Sequence, residues 1–248
     1  MASFCTKSRQ PTCRRLIKRN KRESRCHFRI RWRMEMTLQL INISGGYGER
    51  LVHENISIDA EPGEVIAIIG RNGTGKTTLA KLIAGELPLE SGEIRLDGEV
   101  ISLMRQWQRA KSGIAYMPQT EMVFDTLTVA ENLVVNSNGD IETYELALKS
   151  FPVFPHRMDQ VAGSMSGGER KLLGFVRTII FGGKKVLLLD EPSEGVQQEN
   201  IDLMKQLIIR SCSKGVTCII CEQNLSFVLD IADRIAAIDS AGLLFDRP

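Results

Sequence analysis

Residues 65–78, VIAIIGRNGTGKTT, decide the fold. Val65–Ile69 is apolar throughout, as in a strand buried on both faces rather than one alternating between core and water. Gly70, Gly73 and Gly75 punctuate the loop that follows, and a helix is expected from Lys76 to about Ala84. Strand, glycine-rich loop and helix in this order fit the pattern G-x-x-x-x-G-K-[ST], whose backbone N–H groups fold inward around phosphate oxygens. The positive end of the helix adds to that anion site. Gly70, Arg71, Asn72, Gly73, Thr74, Gly75, Lys76, Thr77 and Thr78 are therefore the candidate phosphate contacts. Lys76 can reach the outer phosphates of a nucleotide, and the Thr77 hydroxyl is a hard oxygen ligand suited to Mg²⁺.

Further along, KVLLLDEP (185–192) is a second apolar strand ending in two carboxylates. Asp190 would stand beside the phosphate loop, holding Mg²⁺ directly or through water. Glu191, one residue on, is placed to polarise an attacking water as a general base. A third stretch, SMSGGERK (164–171), opens a helix. Its Ser166 hydroxyl and the N–H groups of Gly167 and Gly168 form a second anion-facing surface, although Ser-Gly-Gly alone is also an ordinary helix cap.

Together these three stretches resemble the ABC ATPase family, with MSGGE (165–169) standing where its members carry Leu-Ser-Gly-Gly-Gln. The resemblance runs over about 37–245 and implies an α/β P-loop NTPase fold. A mainly parallel core sheet is expected, with an antiparallel β subdomain and a helical subdomain at about 120–180. It implies ATP and Mg²⁺ as ligands. It also implies a head-to-tail dimer, of two copies or with a similar ATPase, in which Ser166, Gly167, Gly168 and Glu169 cover the ATP held by the other subunit.

Further positions match in order. Tyr47 in SGGYGER corresponds to the aromatic that stacks on adenine. Gln119 in AYMPQT corresponds to the glutamine that senses Mg²⁺ and the attacking water and hinges the helical subdomain. Residues 121–133 fall where transporter ATPases meet their membrane subunits, so permeases are expected around Gln119–Leu133. The loop PSEGVQQ (192–198) lacks the aspartate that most relatives place there. Within the family, EPSEGVQQ and CEQN are most similar to ATPases of importers for branched-chain amino acids, urea or short amides. The position implied is peripheral, on the cytoplasmic face of the cell membrane.

The stretch TCIICEQN (217–224) carries two thiols three residues apart and a glutamine where relatives have histidine. Side chains alternate across a strand, so Cys218 and Cys221 should point to opposite faces and cannot clamp one metal. Gln223 can still donate a hydrogen bond toward a γ-phosphate, and the catalytic burden is expected to rest on Glu191.

The composition, 43% apolar and 25% charged, is that of an ordinary globular protein. Its apolar runs fall far short of the roughly 18–20 residues that span a bilayer. The net charge of +2 conceals an asymmetry: residues 1–35 hold twelve Lys/Arg against two Asp/Glu, and the remainder is acidic. The basic segment reads as an extension upstream of a start at Met34 or Met36, a disordered arm, or a transit peptide. The acidic remainder argues against nucleic acid as the main partner. Two alternatives to a transporter subunit stay open at this stage: a soluble ABC ATPase acting on nucleic acid or ribosomes, and a nucleotide-binding module that does not hydrolyse.

Overall fold

The computed structural model describes residues 36–135, 141–181, 183–239 and 242–247. The basic segment 1–35 lies outside them. In chain order the elements begin with β1 (Leu38–Tyr47), β2 (Arg50–Ala60), β3 (Val65–Ile69), α1 (Lys76–Ala84), β4 (Ser91–Leu96) and β5 (Glu99–Val100). They continue with α2 (Gln106–Ser112), β6 (Ile114–Met117), α3 (Val129–Val134), α4 (Ile141–Ser150) and α5 (Gly167–Ile179). The last are β7 (Val186–Asp190), α6 (Gln198–Ser213), β8 (Thr217–Glu222), α7 (Leu225–Leu229), β9 (Arg234–Asp239) and β10 (Gly242–Arg247).

The strands form two sheets. An antiparallel one runs β2-β1-β4-β5, and a six-stranded one runs β10-β9-β3-β8-β7-β6. In the larger sheet every neighbouring pair is parallel except the last strand, β10, which runs antiparallel along β9. This is the expected architecture, with one strand, β10, that the sequence reading does not anticipate.

Alternation of side chains explains why the central strands read as unbroken apolar runs. Val65, Ala67, Leu187, Leu189, Cys218 and Ile220 face one core with residues of α5, α6 and α7. Ile66, Ile68, Val186, Leu188, Ile219 and Cys221 face the other, against α1 and the antiparallel sheet. Each fully buried Val, Leu or Ile contributes roughly 1.5–3 kcal/mol, so two such faces hold the strand ends of the larger sheet in fixed register. Cys218 and Cys221 lie on opposite faces, both buried, as the strand period requires.

The helical region comes in three pieces, α3, α4 and α5, with α4 and α5 separated by turns and one short 3-10 turn over 151–166. The chain there doubles back: Val129 and Ala130 donate main-chain hydrogen bonds to Gln160 and Met158, and Ala162 donates to Leu127. These cross-links use backbone groups that a continuous helix would have kept for itself. The helix α2 is also unanticipated, and its Arg109 is 1% exposed. That guanidinium donates to the carbonyls of Leu82 and Ile83 at 2.7 and 2.8 Å, tying off the end of α1.

Candidate active site

The loop from Gly70 to Gly75 joins β3 to α1 at the carboxyl ends of the parallel strands, where open α/β sheets place their ligands. Gly75 caps α1 with φ of 96°, and no side chain caps the helix. The first N–H groups of α1 are thus left for an anion. A Cβ at Gly75 would lie 2.6 Å from His53 Nε2, so glycine is required there by contact as well as by backbone conformation. His53, wholly buried on β2, bonds the Gly75 carbonyl at 2.8 Å. Desolvation holds its pKa below the ordinary histidine value.

A cleft of about 580 Å³ opens over this loop. It is lined by Tyr47, Asn72, Gly73, Thr74, Gly75, Lys76, Thr77, Thr78, Gln119, Glu191 and Gln223. Eleven residues singled out in the sequence, from five separate segments, therefore share one cavity. Tyr47 stands half-exposed at the end of β1, and Gln223 is exposed where the chain leaves β8.

Lys76 is 4% exposed, and its ammonium meets three acceptors. It donates to the carbonyls of Gly70 at 3.0 Å and Arg71 at 3.2 Å, and lies 3.6 Å from Glu191 Oε1. Gln119 Nε2 donates to Glu191 Oε2 at 2.7 Å. One carboxylate thus holds the loop lysine on one oxygen and the strand-end glutamine on the other.

Glu191 carries this position at a backbone cost. Its φ is +48°, a left-handed conformation that a glutamate adopts only when its surroundings impose it. Its N–H donates to the Cys221 carbonyl at 2.8 Å, and its own carbonyl accepts from Lys171 Nζ at 2.9 Å. Lys171 lies on α5, so the helix opened by the Ser-Gly-Gly stretch braces the Glu191 turn. Gly168 completes that contact, because a Cβ there would meet the Gly195 carbonyl at 2.6 Å.

Asp190, at the end of β7, is fully buried, and neither carboxylate oxygen makes a hydrogen bond of ordinary length and angle, the Thr77 hydroxyl being the polar group close by. Burial pushes its pKa up to about 6, against the pull of the Thr77 hydroxyl and the Lys76 and Lys171 charges. Two unsatisfied anionic oxygens next to a threonine hydroxyl form a donor set that suits a hard divalent cation such as Mg²⁺.

Gly70 and Arg71 sit at the edge of this arrangement, giving carbonyls to Lys76 and lining a neighbouring cavity with Gln223. Ser166, Gly167, Gly168 and Glu169 do not line the cleft of their own chain. They open α5 through reciprocal bonds between the Ser166 and Glu169 side chains and main chains, with Arg157 bound to Glu169 at 2.8 Å.

Four residues at the site are given no role of their own by the sequence reading: His53, Lys171, Ser193 and Glu222. Each is a polar residue with a partner 20 or more positions away. Beside the cleft a second cavity, of about 520 Å³, is lined by Trp107, Tyr116, Met122, Phe124, Arg177 and Phe181 among others. Trp107 and Phe124 are about half exposed, and the Arg177 guanidinium sits 4.6 Å over the Phe124 ring.

Comparison with known proteins gives one consistent family. The family described as "ABC transporter" matches residues 53–194. The high-affinity branched-chain amino acid transport ATP-binding protein BraG of Pseudomonas aeruginosa is 33% identical over 212 residues, 84% of this chain and 91% of that protein. The lipopolysaccharide export system ATP-binding protein LptB of Haemophilus influenzae is 32% identical, over 81% of this chain and 86% of its own length. A solved ATP-binding cassette of an ABC transporter, in its ADP conformation, matches with a TM-score of 0.71 at 27% identity, over 86% of this chain and 91% of the other.

Proposed function

The chain belongs to the ABC transporter ATPase family, and from that membership we propose that it powers an importer for a small polar solute such as a branched-chain amino acid, urea or a short amide. The observation that carries the reading of the cleft is the meeting of Lys76, Gln119 and Glu191 over the phosphate loop. ATP enters with adenine on Tyr47 and its phosphates over residues 70–78. Lys76 exchanges its contact with Glu191 for the phosphate oxygens, a stronger and more densely charged partner. Glu191, released from Lys76 and still oriented by Gln119, then accepts a proton from the attacking water. Gln223 donates a hydrogen bond toward the γ-phosphate from the opposite wall. Thr77 and Asp190, with Gln119, would hold Mg²⁺, whose charge offsets that of the phosphates.

Because Ser166–Glu169 do not line their own chain's cleft, the reading takes two subunits head to tail. The second subunit is another copy or a similar ATPase. No described helix is long and apolar enough to cross a membrane. The half-exposed aromatic groove beside Gln119 is the surface proposed for a permease subunit. The importer assignment draws on EPSEGVQQ, on CEQN and on the likeness to BraG, whereas the likeness to LptB favours export. Co-purification of the membrane subunits it binds, followed by reconstitution into vesicles, tests the choice. ATP-dependent uptake of leucine or urea is expected; ATP-dependent lipopolysaccharide release without uptake would replace import with export.

A further inference from the structure

We infer that Glu222 is a positioning residue for hydrolysis, clasping the loop that carries Glu191 to the loop that carries Gln223. Glu222 ends β8 and is 1% exposed. Its Oε1 accepts from the Ser193 N–H at 3.0 Å and the Ser193 hydroxyl at 2.5 Å. Its Oε2 accepts from the main-chain N–H groups of Gln223 at 2.9 Å and Asn224 at 3.1 Å. Four donors from two loops converge on one carboxylate, and a glutamine amide could accept at only one of those oxygens.

The position of the clasp gives it a consequence for the cleft. Strands β7 and β8 pair as far as Asp190 and Cys221, and the Glu191 N–H adds one more bond to the Cys221 carbonyl. At Glu191 the chain turns out of the sheet through its positive φ, so ladder pairing can no longer fix the two loops together. Glu222 rejoins them two residues later, at Ser193, and Asn224 Nδ2 adds a strap to the Ser193 hydroxyl at 3.4 Å. Glu191 and Gln223 line the same cavity from these two loops. Their separation is therefore set by a buried side chain that does not itself line the cleft. Such a residue should act on the rate of the chemical step and leave the affinity for ATP to the phosphate loop.

The inference rests on the cleft being the hydrolytic site, and the test separates the two. The full chain is compared with Glu222→Gln, Ser193→Ala and the double variant, and Glu191→Gln serves as the reference for lost chemistry. Phosphate release gives kcat and KM, a fluorescent ATP analogue gives affinity, and thermal unfolding reports stability. Glu222→Gln should lower kcat on the order of tenfold, within the hundredfold that a misplacement of about 1 Å can cause. Ser193→Ala, the gentler change, should lower kcat in the same direction with KM and melting temperature held. The double variant should be no slower than Glu222→Gln, because both changes open one clasp. Wild-type rates in both single variants, effects that multiply in the double, or a KM that rises in step with lost stability would each overturn the inference. If Glu191→Gln itself turns over near the wild-type rate, the assignment of the proton to Glu191 fails instead.

Discussion

Gln119 and Glu191, 72 residues apart in sequence, are joined by a 2.7 Å hydrogen bond across the mouth of the phosphate cleft. The glutamine follows β6 and the glutamate follows β7, so adjacent parallel strands deliver both. A carboxylate oriented this way has one oxygen spoken for and the other facing the lysine of the loop. Replacing Glu191 with Gln keeps shape and hydrogen-bonding capacity but removes the base. Phosphate release should fall by roughly 10²–10⁴-fold, the usual worth of a positioned general base, while ATP is still bound. Turnover near the wild-type rate would assign the proton to another group.

Lys76 is predicted to act on binding. Its removal takes away a charged contact to phosphate worth roughly 1.5–3 kcal/mol, so Lys76→Ala should weaken ATP affinity by about 10–150-fold. The variant also leaves Glu191 buried without its cation. Equilibrium binding of a fluorescent ATP analogue measures the first effect, and an unchanged affinity would remove Lys76 from the phosphate site.

Asp190 ties function to stability in the metal-free protein. Its pKa is raised from 3.8 to about 6 by burial, so between those values the folded chain keeps a proton that the unfolded chain has released. Stability from this group is therefore greatest below about pH 4, falls as pH rises toward 6, and stays lowered above it. Two pKa units correspond to roughly 3 kcal/mol at neutral pH, with the opposing pull of Thr77, Lys76 and Lys171 already included. In chelator at pH 7.5, Asp190→Asn should melt several degrees above wild type, and the gap should close at pH 4. A variant less stable than wild type at pH 7.5 would show that the ionised carboxylate stabilises the fold, overturning this prediction.

What could be read from the sequence, and what could not, follows from where each signal resides. The parallel core was legible because its strands are buried on both faces, which leaves an unbroken apolar run such as Val65–Ile69. The phosphate loop was legible because its glycines answer a local conformational demand, as Gly75 does at φ of 96°. Arg109 shows the opposite case. It lies in a polar stretch, QWQRAKS, that reads as a surface segment, yet it is buried because it caps carbonyls 26 and 27 residues away. Burial lowers its pKa to about 10, a shift that only the tertiary contacts could produce. The same holds for Lys171 and Glu222, each of which holds a backbone group of a distant loop. The strand β10 was missed because an edge strand buries one face only and its pattern is correspondingly weak.

Arg157 and Glu169 carry the last prediction. The signature Leu-Ser-Gly-Gly-Gln, which MSGGE resembles, ends in glutamine where this chain has Glu169, so in the proposed head-to-tail dimer each helix start would bring a negative charge toward the partner's ATP. The structure compensates it locally: Arg157 Nη1 lies 2.8 Å from Glu169 Oε1. The Ser166 N–H and hydroxyl hold the other oxygen at 3.0 Å each. These contacts, led by the Ser166 backbone bond, keep the Glu169 carboxyl below the usual range, so at neutral pH the charge is present and needs its arginine. As a partly exposed ion pair it should add little to folding. Its effect should appear where a second anion approaches. In a Glu191→Gln background that traps ATP, Arg157→Ala should weaken dimer formation several-fold with little change in melting temperature. Adding Glu169→Gln should restore the dimer by removing the charge that Arg157 offsets. Size-exclusion chromatography with ATP distinguishes the outcomes. A dimer indifferent to Arg157→Ala, or one that Glu169→Gln fails to restore, would show that the arginine does not serve the subunit contact.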